Sequence, residues 1–239
     1  MKLLLLPPYF KPEQMASSHL DDNRHSAFAA AGLEMELYTS SPTRGIDDET
    51  RLRYEKRKKE EDYEAMMKVY RFSMFREGKS PFLRALRYVL CWCAQFWKGL
   101  RAKDVDLIYI VSTPPIQGVL GGILKKIKKL PFFYNLQDIF PDSLAGTGLA
   151  KKGGLLWKIG RVIEDFTYRN ADKIIVISED FKRNIRFDAK EGALVADVEQ
   201  GSPAEKAGLI TVTPALCAMM GAAVGSPLSV STVAMAQEA

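Results

Sequence analysis

Leu130-Pro131-Phe132-Phe133-Tyr134-Asn135-Leu136-Gln137-Asp138-Ile139-Phe140-Pro141-Asp142-Ser143-Leu144 is the stretch on which the reading of this chain turns. Phe132 to Leu136 is an apolar and aromatic run, too short for a helix and rich in residues that suit a buried strand. It stops on polar atoms, because Gln137, Asp138, Asp142 and Ser143 follow closely, with Pro141 fixing the backbone among them. Several side chains therefore project where a strand meets its loop, and in an open parallel sheet that carboxyl end is where ligands bind. Two readings of the four polar residues stand side by side. In one, Asp142 and Ser143 form a capped turn and Asp138 is a solvated loop carboxylate; in the other, they belong to a site.

Upstream of this stretch, Asp106 to Ser112 is an almost pure apolar run ended by Thr113-Pro114-Pro115, where Pro115 suits the first turn of a helix. Gly118, Gly121 and Gly122 let that helix pack close to a sheet, and their spacing matches neither nucleotide-binding fingerprint. Downstream, Leu155 to Arg169 has amphipathic spacing, and Asp172 to Ile177 is a further buried strand ending at Ser178-Glu179. Nearer the start, Leu3 to Leu6 reads as a first strand ending at Pro7-Pro8. Ser17 or Ser18 then caps a helix that runs to Ala31 and is ended by Gly32. Glu34 to Thr39 alternates as a second strand, closed by the loop Ser40 to Gly45, and Met67 to Met74 alternates as a third. Strand candidates alternating with helices predict an α/β fold, a Rossmann-like, doubly wound parallel sheet. The dense charge from Asp47 to Glu64 reads as a solvated helix laced with i,i+4 ion pairs, and no nucleic-acid partner is expected.

Composition bounds the rest. A chain of 239 residues with 47% hydrophobic content is ample for a core. The four leucines after Met1-Lys2 are followed at once by Pro7-Pro8, which predicts neither a signal peptide nor a spanning helix there, and places the domain in the cytoplasm. Cys91, Cys93 and Cys217 make no disulfide framework, and Cys91 and Cys93 face different sides of a helix. His19 and His25 are not at zinc-helix spacing, so no metal site is expected. Residues 1–186 hold 32 basic and 23 acidic side chains, net +9, whereas residues 187–239 hold 2 and 6, net −4, and no aromatic residue follows Phe187. The two pieces differ in kind, which predicts a domain over residues 1–185 and a separate tail over 186–239.

Asn135 to Leu144, with Ser112-Thr113-Pro114-Pro115 before it and Ala171-Asp172-Lys173-Ile174-Ile175-Val176-Ile177-Ser178-Glu179 after it, resembles the N-terminal half of family-4 glycosyltransferases. Among these the likeness is to the group that builds capsular, O-antigen and exopolysaccharide repeat units, and it runs from Met1 to about Ile185. It implies the acceptor-side half of a GT-B fold and a retaining reaction. A sugar would move from a nucleotide-sugar donor to a lipid-linked saccharide acceptor, with no metal and no cofactor besides the donor substrate. Many relatives carry a Gly-Gly loop after the first strand; here Pro12 to His19 lacks those glycines, although a helix start still offers free N–H groups to an anion.

On that resemblance Asp138 is the candidate catalytic residue, which orients or helps deprotonate the acceptor hydroxyl or hydrogen-bonds the donor sugar. Gln137, Ser112, Thr113, Ser18 and His19 would line the acceptor side, His19 being otherwise a surface histidine without a role. Arg24 or Arg44 would meet the acceptor's diphosphate. Ser80 to Lys103 carries Arg84, Arg87, Lys98, Arg101 and Lys103 with no acidic residue, interleaved with Phe82, Leu86, Trp92, Phe96 and Trp97. Such a helix either covers the sheet with its aromatics or lies on an anionic membrane surface, peripheral at the inner face. A second hypothesis makes the chain a non-catalytic, membrane-surface binding module that needs a separate donor-binding subunit.

After about residue 186 the family pattern is lost, so the resemblance implies a chain cut short of its donor-binding domain and inactive alone. Gly192 to Val195 and Gly201 to Leu209 are similar to part of a PDZ domain, giving a PDZ-like fragment over 187–209. A peptide-binding role for it is the weakest reading, since the groove needs strands the fragment lacks. Thr213 to Met219 is similar to a short motif of efflux pumps. The low-charge apolar segment Ile210 to Val233 is interrupted by Pro214, Gly221, Gly225 and Pro227, which predicts a poorly ordered, irregular tail of chimeric origin in place of a membrane anchor.

Overall fold

The computed structural model describes residues 1–13, 18–76, 80–138 and 151–176. The tail from 186 on, with its PDZ-like and efflux-pump-like pieces, lies outside them, as do Ser17, Asp142, Ser143, Ser178 and Glu179. The chain divides into two compact units, with the break between Asp106 and Leu107.

The first unit runs β1 (Lys2–Leu5), α1 (Ser18–Ala30), β2 (Glu34–Ser40), α2 (Asp48–Lys56), β3 (Lys59–Asp62), β4 (Met67–Phe72) and α3 (Pro81–Arg101). Its strands lie in the order β3-β4-β2-β1. Strands β1, β2 and β4 are parallel, with Leu3 opposite Met35 and Leu37 opposite Val69. Buried Leu3, Leu4, Phe28, Leu33, Met35, Leu37, Met67 and Val69 form its core. Helix α1 ends as expected: Gly32 has φ +73°, its N–H bonds Ala29 O, and Leu33 N–H bonds Phe28 O, a left-handed cap that satisfies the last carbonyls.

The second unit runs β5 (Leu107–Val111), α4 (Ile116–Lys128), β6 (Phe132–Leu136), α5 (Leu155–Asn170) and β7 (Lys173–Val176). All three strands are parallel, with Ile108 opposite Phe132 and Phe133 opposite Lys173. Every residue of β6 is buried, as a strand between two parallel neighbours requires. Asp172 fixes its start, since its carboxylate accepts Phe132 N–H at 2.8 Å and Lys125 Nζ at 2.6 Å. The glycines of α4 work as close-packing positions on two sides. A Cβ on Gly121 would lie 2.3 Å from the Phe132 ring, and one on Gly118 would lie 2.3 Å from Thr167 of α5. The fold class is therefore α/β with mostly parallel strands.

Two elements differ from the sequence expectation. The charged stretch is not one helix: α2 stops at Lys56, and β3 pairs antiparallel to β4 with Glu60 opposite Val69. The chain turns between them through Tyr63, Glu64 and Ala65, all at positive φ. Arg71 of β4 provides the reason, because its guanidinium pairs with Glu60, which Arg57 also approaches at 3.3 Å. Charge density alone does not distinguish an ion-paired helix from an ion-paired edge strand. Accordingly β4 also ends at Phe72, before Met74.

Helix α3 turns its polar stripe inward. Arg87, Cys91 and Gln95 are buried, and Gln95 Nε2 donates to Pro7 O at 2.8 Å and Tyr38 O at 3.1 Å. Leu83, Leu86, Val89 and Leu90 are exposed, with Phe82 75% and Trp97 56% accessible. Cys93 is exposed while Cys91 is buried. Among the described residues no helix is long and apolar enough to cross a membrane.

Candidate functional site

In the second unit the candidate site lies where β5 and β6 end. The extended strands place Ser112 beside the residues that leave β6, with Ser112 N–H donating to Asn135 O at 2.9 Å. The Ser112 side chain points into this junction and is buried. Its Oγ accepts Gln137 N–H at 2.9 Å and, at a longer 3.4 Å, Asp138 N–H. One hydroxyl thus orients two successive peptide groups, and the chain emerges with Gln137 half-buried and Asp138 exposed.

Beneath this edge β6 contributes two buried side chains with polar atoms, Tyr134 and Asn135. Tyr134 is buried, and burial first, then the negative charges of Glu164 and Asp138, raise its hydroxyl above the ordinary tyrosine range. Glu164, itself buried on α5, accepts Tyr168 OH at 2.6 Å and pairs with Arg161. Asn135 is 1% exposed, and its Oδ1 has no hydrogen-bond partner among the described residues. Thr113 is exposed at the start of the turn into α4, where Gln117 N–H closes on Pro114 O at 2.9 Å. Ser112, Thr113, Gln137 and Asp138 are thus brought together at one end of the unit.

The first unit carries a second polar assembly at the carboxyl ends of β1, β2 and β4. Glu13 is 3% exposed, and its Oε1 accepts the consecutive N–H groups of Thr43 at 2.8 Å and Arg44 at 2.9 Å. Burial raises its carboxyl above the ordinary range, while those two N–H groups and the nearby Arg87 and Arg71 pull the other way. Arg71 bonds Glu60 through Nε at 2.7 Å and Ser40 O at 3.4 Å. Arg87 donates to Ser40 Oγ at 3.0 Å and lies 4.9 Å from the Tyr9 ring centre. The Arg44 guanidinium lies 5.9 Å from the same ring.

The other residues expected from sequence are distributed through this unit. Ser18 opens α1, half-buried, and His19 follows it, exposed. Arg24 is buried one and a half turns further on, where it pairs with Asp21, and Arg44 is exposed. Glu13, Arg71 and Arg87, which build this polar assembly, were not among the candidates read from sequence. A signal existed for two of them: Arg71 shares a strand face with Met67 and Val69, and Arg87 shares a helix stripe with Cys91 and Gln95. His25 is likewise buried, between Phe10 and Tyr63, with ring centres at 5.9 Å on each side. Among the described residues no cluster of three or more His, Cys, Asp or Glu could hold a metal ion.

Comparison with known proteins gives a consistent result. A family described as "Glycosyl transferase 4-like domain" matches residues 25–191. A probable glycosyltransferase of Pseudomonas aeruginosa, WbjE, is 24% identical over 82 residues, which are 34% of this chain and 20% of WbjE. A sucrose-phosphate synthase structure from Thermosynechococcus elongatus superposes with a TM-score of 0.53 at 15% identity. That superposition covers 82% of this chain and 48% of the synthase, so the chain spans about half of that protein's length. A second sucrose-phosphate synthase structure from the same organism gives a TM-score of 0.51 at 13% identity, over 94% of this chain and 98% of the other. These similarities in structure speak to the fold, and the family match covers well over half of the sequence. The chain belongs to the glycosyl transferase 4-like family.

Proposed function

We propose that this chain is the acceptor side of a retaining GT-B glycosyltransferase of surface polysaccharide synthesis. The reaction moves a sugar from a nucleotide-sugar donor to a hydroxyl of a lipid-linked saccharide. The observation that supports this reading is the Ser112 hydroxyl, which accepts Gln137 N–H and, at a longer distance, Asp138 N–H where the chain leaves β6 with Asp138 exposed. A carboxylate there can accept a hydrogen bond from the acceptor hydroxyl as it attacks, or from a hydroxyl of the donor sugar. Transfer also needs the leaving diphosphate stabilised while the acceptor is held in line, which requires a donor-binding domain in addition to the described residues. The exposed apolar face of α3, flanked by Arg84, Lys98 and Arg101, supports attachment to an anionic membrane, where a lipid-linked acceptor resides.

The test is to fuse residues 1–185 to the donor-binding domain of a relative and measure transfer of labelled sugar to membrane-extracted lipid-linked saccharides. Transfer that falls by about 10²-fold or more in Asp138→Asn, with folding intact, is expected. Transfer undiminished in that variant would remove Asp138 from the reaction. A chain that only binds, with no transfer in any fusion, would favour the non-catalytic module.

A further inference from the structure

Arg44 of the first unit is an exposed cation whose backbone is held by a buried carboxylate. Its guanidinium lies 5.9 Å from the Tyr9 ring centre, and it has no carboxylate partner among the described residues. Arg71, by contrast, is paired with Glu60, and Arg24 with Asp21. The backbone that leads into Arg44 is held by a buried side chain. Glu13 Oε1 takes both Thr43 N–H and Arg44 N–H, and Gly45 follows at φ +67°, a conformation that reverses the chain immediately after Arg44. Glu13 is nine-tenths buried or more, and its second oxygen, Oε2, has no hydrogen-bond partner among the described residues. A buried carboxylate therefore fixes the backbone at Thr43 and at the exposed Arg44, whose guanidinium lies 5.9 Å from the Tyr9 ring centre.

We propose that Glu13 is a positioning residue that acts through Arg44 to hold a diphosphate ester of the acceptor at the carboxyl ends of β1 and β2. This rests on the acceptor-side reading above and adds the group recognised and the residue that aims it. A guanidinium drawn toward an aromatic ring keeps all its N–H donors in its own plane, and that planar fork matches two phosphate oxygens. Fixing its Cα beforehand lowers the ordering lost on binding. A lipid-linked acceptor and a nucleotide-sugar donor both carry a diphosphate, so the chemistry is shared and the experiment separates them.

The 239-residue chain is titrated calorimetrically with geranyl diphosphate and, separately, with uridine diphosphate. Saturable binding of geranyl diphosphate is expected, weakened about tenfold or more in Arg44→Gln and in Glu13→Ala, and restored to within about threefold in Glu13→Gln, whose amide oxygen still accepts the two N–H groups. Each variant is first shown to keep the wild-type thermal transition. If Glu13→Ala does not fold, amide exchange at Thr43 and Arg44 in Glu13→Gln and in the unchanged chain supplies the second measurement, and slow exchange in both is expected. Absence of geranyl diphosphate binding, equal binding of uridine diphosphate with the same dependence on Arg44, or a folded Glu13→Ala that binds normally would each overturn the proposal. Failure here while the fused enzyme transfers sugar would leave the glycosyltransferase reading standing. Diphosphate binding without transfer would do the reverse.

Discussion

Ser112 Oγ lies 2.9 Å from the backbone nitrogen of Gln137, although the two residues are on different strands' ends and 25 positions apart. Ser112→Ala removes that acceptor from a buried junction and leaves the Gln137 N–H unsatisfied. A loss of about 1–3 kcal/mol in unfolding free energy is expected, together with faster amide exchange at Gln137 and Asp138. Unchanged exchange at both positions would show that the serine does not hold this loop.

Gly121 and Gly32 should respond to alanine for different reasons. At Gly121 the new methyl would meet the Phe132 ring at 2.3 Å, so α4 must shift from β6, and about 1–3 kcal/mol should be lost. At Gly32 nothing lies within 4 Å, but φ is +73°, so a smaller loss of about 1 kcal/mol comes from the backbone alone. Denaturant midpoints measured on both variants check the order; a Gly32→Ala loss larger than that of Gly121→Ala would contradict it.

His25 ties stability to pH. Burial first, then the positive charges of Arg24 and Lys11, hold its imidazole well below the ordinary range, so it is neutral in the folded chain. The unfolded chain binds a proton near pH 6.5 and the folded chain binds it only at lower pH, so acidification below about 6.5 draws the equilibrium toward unfolding. The stabilisation is present above that pH and is lost as pH falls toward the folded-state value. His25→Phe, which retains ring contact with Phe10 and Tyr63, should flatten the dependence of the thermal midpoint between pH 6.5 and 5. A variant with the same slope as the unchanged chain would exclude His25 as its origin.

Membrane attachment through α3 predicts a graded loss. Arg84, Lys98 and Arg101 changed together to Gln should weaken sedimentation with anionic vesicles by about 1 kcal/mol per residue, most clearly at low salt. Arg87 is excluded from this set because it is buried against Tyr9 and Ser40. Phe82→Ser with Trp97→Ser should reduce the binding that survives high salt. If the unchanged chain stays in the supernatant at low salt, α3 is not a membrane surface.

Local pattern carried much of the fold. The apolar runs of β1, β5, β6 and β7 have one reading each, since buried parallel strands leave little polar alternation to confuse them. Gly32 and Pro115 marked helix ends by backbone chemistry that does not depend on tertiary context. Strand β3 was hidden because Lys59, Glu60, Glu61 and Asp62 have low strand propensity, and the pairing rests on Arg71, which lies nine residues beyond the strand's end. Asp138, Gln137, Ser112 and Thr113 were legible as a group because strand ends gather them whatever their partners. Glu13 was not legible, because its meaning lies in two backbone N–H groups 30 and 31 positions away, which leave no trace in side-chain identity.

The short antiparallel strand β3 has a bearing on how the molecule behaves at high concentration. A parallel sheet that ended on β4 would offer Val69 and its neighbours an open row of hydrogen-bonding groups, a template for another chain. Strand β3 covers that row and replaces it with four consecutive charged residues, of which Lys59 and Glu61 face solvent. Any chain that added to this new margin would have to strip water from those charges, so sheet growth between molecules is opposed at this margin.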